Sequence, residues 1–344
     1  MKILHLLSSN RYSGAENVAC QIISLFKKEY DVAYCSPDGQ ISEALRDRNI
    51  KFIPLEKMSK RAVAKAIKEF QPDIVHAHDP RAICMACRVR GKFRIIAHMH
   101  SNRPDFKRKS LFARIFNHFS NNKRIRKIVW VSNSCLEEYV FKKQVEEKSV
   151  VLNNIINQQQ IIDKAKIAEK KDQSDIVFLG RLTYPKNPQR LIHIIGDVAK
   201  IKPNINVAII GDGELREECE QLTKELNLEK NIKFYGFLDN PFGLLKNSKI
   251  FLLSSRFEGN PMCVLEAETF GLPVLAPEIN ELKTTVIEGV SGFLYKTDEE
   301  CVDRVIELLK NPEKAKKLSQ TTYEFSQQYN NMAIYKQKID AAYN

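Results

Sequence analysis

Two glutamates, Glu258 and Glu266, flank the segment Gly259-Asn260-Pro261-Met262-Cys263-Val264-Leu265. Carboxylates so placed can accept hydrogen bonds from the hydroxyls of a polyol on either side. The run Lys249–Ser255 before them reads as a strand, and the Gly-Asn-Pro step as a turn. The residues up to Gly271-Leu272-Pro273 then read as a helix, with proline in its first turn and a Gly–Pro stop. Unpaired amides at a helix start can hold phosphate. Phosphate beside polyol hydroxyls describes a nucleotide sugar. Upstream, the run 175–179 leads into Gly180-Arg181-Leu182, with Lys186 close behind. Arg181 and Lys186 would emerge together at the end of a strand, where their charges can neutralise a diphosphate. The plain alternative is a solvated loop with two ordinary cations. Gly211-Asp212-Gly213 also joins a strand to a helix, but such turns are common for steric reasons alone. Strand 93–97 ends in His98-Met99-His100-Ser101-Asn102, while His76 and His78 close strand 73–76 as weaker candidates: buried polar residues, or strand-end side chains.

These residues must be carried by an α/β scaffold. Strand-like runs at 2–7, 31–35, 51–54, 73–76, 93–97, 128–131 and 149–152 alternate with helical patterns at 17–26, 41–48, 61–70, 82–90 and 135–141. Alternation of this kind means a parallel, doubly wound sheet. The polar stretch 157–174 lacks strand character and reads as a connection. Alternation restarts with strands at 175–179, 206–210, 232–235 and 250–253, and short strands at 274–276 and 293–295. The expected domains are 1–165 and 166–325, with 326–344 helical and packing back on the first domain. Residues 315–343 read as one or two helices.

A chain of 344 residues with 43% hydrophobic and 28% charged residues suits two globular domains. No apolar run approaches the roughly 20 residues a spanning helix needs, and residues 1–7 are too short an apolar run for a secretory signal. A cytoplasmic protein is expected. The eight cysteines show no framework spacing and read as reduced, with Cys84 and Cys87 as small core residues. The net charge of +12 divides into +14 for residues 1–165 and −2 for the remainder. An anionic partner for the first half follows.

Gly180-Arg181-Leu182 with Lys186, Ile210-Gly211-Asp212-Gly213, Phe234-Tyr235-Gly236-Phe237, Glu258-Gly259-Asn260-Pro261 with Glu266, and Gly271-Leu272-Pro273-Val274 stand in an order and spacing that resembles the family-4 retaining glycosyltransferases. The likeness runs from Ser13-Gly14-Ala15-Glu16 to Ser291-Gly292-Phe293, and is strongest to bacterial enzymes of capsular and exopolysaccharide synthesis. It implies a GT-B fold, two Rossmann-like parallel-sheet domains facing across a cleft. It implies that Arg181 and Lys186 hold the donor diphosphate, that Glu266 binds ribose hydroxyls, and that Glu258 contacts the transferred sugar. Amides of Asn260, Met262 and Cys263 mark the turn that approaches sugar and phosphate. Ser13-Gly14-Ala15-Glu16 matches the family's Gly-Gly-x-Glu loop with serine for the first glycine. Gly14 keeps the backbone freedom, and helix capping is the alternative role for Ser13. By the same resemblance His100, with His98 as second candidate, lies beside the donor sugar.

The implied reaction transfers a hexosyl or N-acetylhexosaminyl group from a nucleotide sugar, UDP-linked, to a polyprenyl-diphosphate-linked saccharide with retention of configuration. The donor is a substrate, and no cofactor is expected. No Asp-x-Asp occurs, so no metal is expected, and Arg181 and Lys186 take its place. Between 103 and 127 stand nine Lys/Arg and one acid, with Leu111, Phe112, Ile115, Phe116 and Phe119 at helical spacing. That pattern suits docking on an anionic membrane surface, or a core-facing helix with a basic rim. The rivals are another GT-B chemistry, such as nucleotide-sugar epimerisation or transfer to a soluble acceptor, and a basic nucleic-acid-binding protein. The last lacks any RNA-binding sheet motif, zinc finger or helix-turn-helix, so no nucleic-acid partner is expected. A nicotinamide dehydrogenase is disfavoured by the absence of Gly-x-Gly-x-x-Gly after the first strand.

Overall fold

A computed structural model describes residues 1–101, 103–169 and 172–344 of the chain. It contains two compact units, one of Met1–Asn154 with Ala333–Asn344, the other of Ile155–Met332. In the first unit seven strands, β1 (Lys2–Leu6), β2 (Asp31–Pro37), β3 (Phe52–Leu55), β4 (Ile74–Ala77), β5 (Arg94–Met99), β6 (Ile125–Trp130) and β7 (Ser149–Val151), pair in the order β3-β2-β1-β4-β5-β6-β7. In the second, β8 (Ser174–Leu179), β9 (Val207–Ile210), β10 (Ile232–Gly236), β11 (Ser248–Leu252), β12 (Val274–Pro277) and β13 (Gly292–Tyr295) pair in the order β10-β9-β8-β11-β12-β13. Every pairing is parallel.

Strands such as Val207–Ile210 and Ile74–Ala77 are apolar or buried at every position, because helices cover both faces of a parallel sheet. Both sheets change winding direction once, between β1 and β4 and between β8 and β11. Ligands of open α/β sheets bind beyond the strand ends at such points. At the first of them Asp79 both caps the helix Pro80–Arg88 and accepts from the Ser8 amide at 2.8 Å, tying the ends of β1 and β4 together.

The units divide at 154/155 and 332/333, not at 165/166 and 325/326. The stretch 157–174 is not a bare connection: Gln158–Lys166 is a helix capped by Asn157, and it packs on the helix Phe242–Lys246 of the second unit. Lys170 and Lys171 of that stretch lie outside the described residues. The C-terminal part holds three helices, Asp298–Lys310, Pro312–Tyr329 and Met332–Tyr343. The last belongs to the first unit, anchored by Tyr343, by the Tyr30 hydroxyl donating to Asp340 at 2.7 Å, and by a Lys336–Glu29 ion pair.

The helix Leu111–Ser120 divides its apolar residues between two surroundings. Phe116 is buried and Phe112 and Phe119 pack against the core, whereas Leu111 and Ile115 are 75% and 43% exposed beside exposed Arg108, Lys109 and Arg114. The five residues do not form one lipid-facing stripe. Core packing claims most of the pattern, and only its outer edge is open. Among the described residues no helix is long and apolar enough to cross a membrane.

Candidate functional site

In the second unit the loops after β8 and β11, the two strands at the winding change, bring together Lys186 and Glu258. Lys186 Nζ donates to Glu258 Oε1 at 2.6 Å, and the Ser255 hydroxyl donates to the same oxygen at 2.6 Å. Both partners are largely buried, with side-chain exposures of 17% and 9%. The loop bearing Lys186 is fixed by Asn187 in the left-handed conformation and by the Ser254 hydroxyl, which donates to the Lys186 and Asn187 carbonyls at 3.0 and 2.9 Å. Burial by itself would lower the Lys186 pKa, but neighbouring Cys263 and Glu258 outweigh it and hold the ammonium above the usual lysine value. At neutral pH Glu258 supplies that compensation, because burial pushes the Cys263 thiol up to about 12 and keeps it uncharged.

Arg181 is exposed, close enough to Lys186 for their charges to repel. Met262 and Cys263 open the helix Met262–Glu268, and Asn260, buried in the turn before it, donates through Nδ2 to the Tyr329 hydroxyl at 3.2 Å. That helix has seven residues, so its dipole is small beside the two full charges of Lys186 and Arg181. Glu266 stands on the partly exposed side of it. Burial pushes its carboxyl up to about 7, against the opposing charges of Lys164 and Lys186. Gly211 and Gly213 have a steric cause: with φ +133° at Gly211, a Cβ there would lie 1.9 Å from the Gly180 carbonyl oxygen, and one at Gly213 2.3 Å from that of Leu182. The two glycines let the Arg181 loop sit against the end of β9.

Glu268, two residues beyond Glu266, is fully buried, and neither of its carboxylate oxygens has a hydrogen-bond partner among the described residues. Burial pushes its pKa well above the usual carboxylate range, opposed only by nearby Ser291, whose hydroxyl is committed to the Thr285 carbonyl at 3.1 Å. Because the folded value is the higher one, Glu268 favours folding below the unfolded carboxyl pKa and loses that contribution as pH rises. Between pH 5 and 8 the wild type should therefore lose stability relative to Glu268→Gln, by up to about 1.4 kcal/mol per pH unit. Thermal midpoints should separate by about 3 °C per unit. A pH-independent difference between the two would contradict a protonated Glu268.

In the first unit Gly14 begins the helix Gly14–Phe26, and a Cβ there would meet nothing within 4 Å, so the fold itself does not require glycine. Ser13 occupies the N-cap position, but its side chain caps no amide. It donates instead to the buried carboxylate of Glu16, which corrects the capping alternative.

His98 and His100 do not stand alone. Five imidazoles, His5, His76, His78, His98 and His100, stack across the ends of β1, β4 and β5, with neighbouring ring centroids 4.1–5.3 Å apart. All but His100 are fully buried. Desolvation holds His5 and His100 at about 3 and the other three well below the ordinary imidazole value, so the rings are neutral. The nitrogens of His5, His76 and His78, and those of His78, His98 and His100, come within 4.8 Å of one another, the spacing at which three imidazoles could share one ion. Most of these nitrogens are already engaged in ring-to-ring hydrogen bonds. Sequence reasoning weighed the histidines singly and passed over His5, Tyr343, Ser254 and Ser255. The available signal was the repeat of His-x-His at the ends of two consecutive strands, since alternate residues share one face of a sheet.

Comparison with known proteins agrees with this layout. A model described as Glycosyltransferase Family 4 matches residues 12–160, and one described as Glycosyl transferases group 1 matches residues 159–325. Anabaena HepE in complex with UDP-glucose has a TM-score of 0.88 at 18% identity, covering 99% of this chain and 98% of HepE. The chain thus has the GT-B fold. It belongs to the family-4 glycosyltransferases. An uncharacterised glycosyltransferase of Methanocaldococcus jannaschii is 28% identical over 290 residues, 75% of this chain and 71% of that protein. The UDP-Gal:α-D-GlcNAc-diphosphoundecaprenol α-1,3-galactosyltransferase of Escherichia coli is 26% identical over 337 residues, 87% of this chain and 85% of that one.

Proposed function

We propose that this glycosyltransferase moves a hexosyl or N-acetylhexosaminyl group from a UDP-sugar to a polyprenyl-diphosphate-linked saccharide during surface polysaccharide synthesis, with retention and without a metal. The observation that carries the donor half is the Lys186–Glu258 pair at the winding change of the second sheet, with Arg181 on the loop of Lys186 and Glu266 on the helix that follows Glu258. Arg181 and Lys186 neutralise the diphosphate, assisted by the amides of Asn260, Met262 and Cys263. Glu266 accepts from the ribose hydroxyls. Glu258 accepts from the transferred sugar while holding Lys186 in place. In the first unit Gly14 leaves open space for a ligand oxygen at the helix start, and His100 donates to a sugar hydroxyl.

The bond from the anomeric carbon to the phosphate oxygen breaks as the acceptor oxygen bonds to the same face of that carbon. The acceptor proton passes to the departing phosphate oxygen, which balances the step without a covalent enzyme intermediate. Support for the acceptor class comes from the Escherichia coli relative, whose name specifies a diphosphoundecaprenol substrate. In this reading the enzyme works on the cytoplasmic face of the membrane. Exposed Leu111 and Ile115 with the surrounding cations of residues 103–127 supply a surface for anionic lipid.

The deciding experiment incubates the protein with a panel of UDP-sugars and a lipid-linked saccharide in anionic vesicles, and reads the anomeric configuration of the product. One UDP-sugar should be consumed only with acceptor present, giving a retained linkage. In the absence of acceptor, UDP at 100 times its Kd should stabilise the protein by about 2.7 kcal/mol. Epimerisation of free UDP-sugar at C2, or an inverted product, would defeat the reading.

A further inference from the structure

The five histidines form two separate hydrogen-bonded files. In one, His5 Nδ1 meets His78 Nε2 at 2.9 Å and His78 Nδ1 meets His100 Nε2 at 3.0 Å. In the other, the Tyr343 hydroxyl meets His76 Nδ1 at 2.8 Å and His76 Nε2 meets His98 Nδ1 at 3.1 Å. Three buried ring nitrogens have no partner among the described residues: His5 Nε2, His100 Nδ1 and His98 Nε2. A neutral imidazole has one donor and one acceptor nitrogen, so every proton along a file must point the same way.

Tyr343 sets the direction of the second file. If its hydroxyl donates to His76, then His76 donates to His98, and His98 is left with Nε2–H as the single orphan. The opposite direction strands the tyrosine proton and the bare His98 Nε2, two unmet groups in place of one, and a buried polar group without a partner is costly. In the first file the choice lies between an orphan N–H on His5 and one on His100. An orphan buried N–H is rarer than an under-used acceptor, and His5 has no exposed surface whereas His100 is partly exposed. The proton therefore belongs at the His100 end.

We propose that the two files make His100 a hydrogen-bond donor through Nδ1–H, its missing partner being an oxygen of the substrate, while fully buried His98 carries its proton on Nε2. His5 and His78 are then positioning residues: His78 keeps His100 Nε2 occupied and so bars His100 from serving as a base. The inference rests on His100 being a substrate contact, and it goes further by fixing which nitrogen makes the contact and the direction of the proton. A sugar hydroxyl and a phosphate oxygen offer the same acceptor chemistry.

Nitrogen-15 spectra of the histidine-labelled full chain, assigned with His98→Gln and His100→Gln, read the ring protonation directly. His100 should be neutral with its proton on Nδ1, and His98 neutral with its proton on Nε2. A proton on His100 Nε2, an imidazolium, or stoichiometric Zn²⁺ retained by the purified protein on these rings would overturn the proposal. A shift of the His100 N–H on adding UDP marks a phosphate oxygen as the partner, and a shift only with UDP-glucose marks a sugar hydroxyl. If UDP, UDP-glucose and the lipid-linked acceptor all leave the signal unmoved, the proposal fails. His78→Leu should scramble the His100 tautomer and lower kcat about tenfold with KM for the UDP-sugar little changed, whereas His78→Asn, whose amide can still donate to His100 Nε2, should stay within about threefold. An unchanged tautomer and kcat in His78→Leu would refute the positioning role even if transfer is confirmed. The expected tautomers in a protein that transfers no sugar would instead sink the functional reading and leave the files as described.

Discussion

Lys186→Ala transfers sugar with a kcat/KM about 10³-fold below wild type, the scale expected when a preorganised cation is removed from a departing anion. Two losses act together. At the proposed donor site the diphosphate would lose one of its two cations, with Arg181 remaining exposed nearby. Glu258 is left buried without its counter-ion, a change that costs folded proteins about 3–5 kcal/mol. Thermal unfolding together with steady-state kinetics separates the two. Lys186→Ala combined with Glu258→Gln should regain most of the lost stability, because no unpaired charge remains. It should regain none of the activity. Donor affinity and kcat/KM unchanged in the single variant would remove the C-terminal cluster from the donor site.

Acid should unfold the first unit well before carboxylates of ordinary pKa titrate. Each of the five file histidines is neutral when folded and has a lowered pKa, so the unfolded chain takes up protons that the folded chain refuses. Stability is complete above the unfolded imidazole pKa of about 6.5 and falls as pH drops below it. With all five acting, the loss by pH 5 is about 10 kcal/mol, comparable to the whole stability of an ordinary domain. Circular dichroism should show a cooperative, reversible transition between pH 6.5 and 5, steepened by several protons. A first unit still folded at pH 4.5 would show that the rings accept charge without losing their packing. This slope has the opposite sign to that of Glu268, so the two can be read in one titration of wild type and Glu268→Gln.

The strands were legible because a sheet covered on both faces leaves unbroken apolar runs such as Ile250–Leu253 and Val207–Ile210 standing out from polar surroundings. The C-terminal cluster was legible for a related reason: Arg181 and Lys186 follow the run ending at Leu179, Glu258 and Glu266 the run ending at Leu253, and loops after parallel strands gather at one edge. The Lys186–Glu258 bond was not. It depends on the left-handed Asn187 and on Ser254, and neither local sequence signals a partner 72 residues away. The histidine files were hidden by the same distance, since the register of β1, β4 and β5 is set by pairing between strands far apart in the chain. The helix Gln158–Lys166 escaped because Gln158-Gln159-Gln160 dilutes its apolar pattern. In the helix Leu111–Ser120 the apolar stripe was read correctly as a stripe, but amphipathicity alone could not tell which of its residues the core would claim.

The first unit is interrupted in the chain: it opens at Met1, pauses at Asn154, and takes in residues 333–344 only after the whole second unit has been made. During synthesis the second unit can therefore reach its native state while the first still lacks Tyr343. Until that tyrosine arrives, His76 Nδ1 has no donor, the second file has no fixed direction, and the face that Tyr343 shares with Phe26 stays open to water. A nascent chain stalled before residue 343 would thus carry a finished second unit and an unfinished first one. The order of manufacture is the reverse of the order of completion.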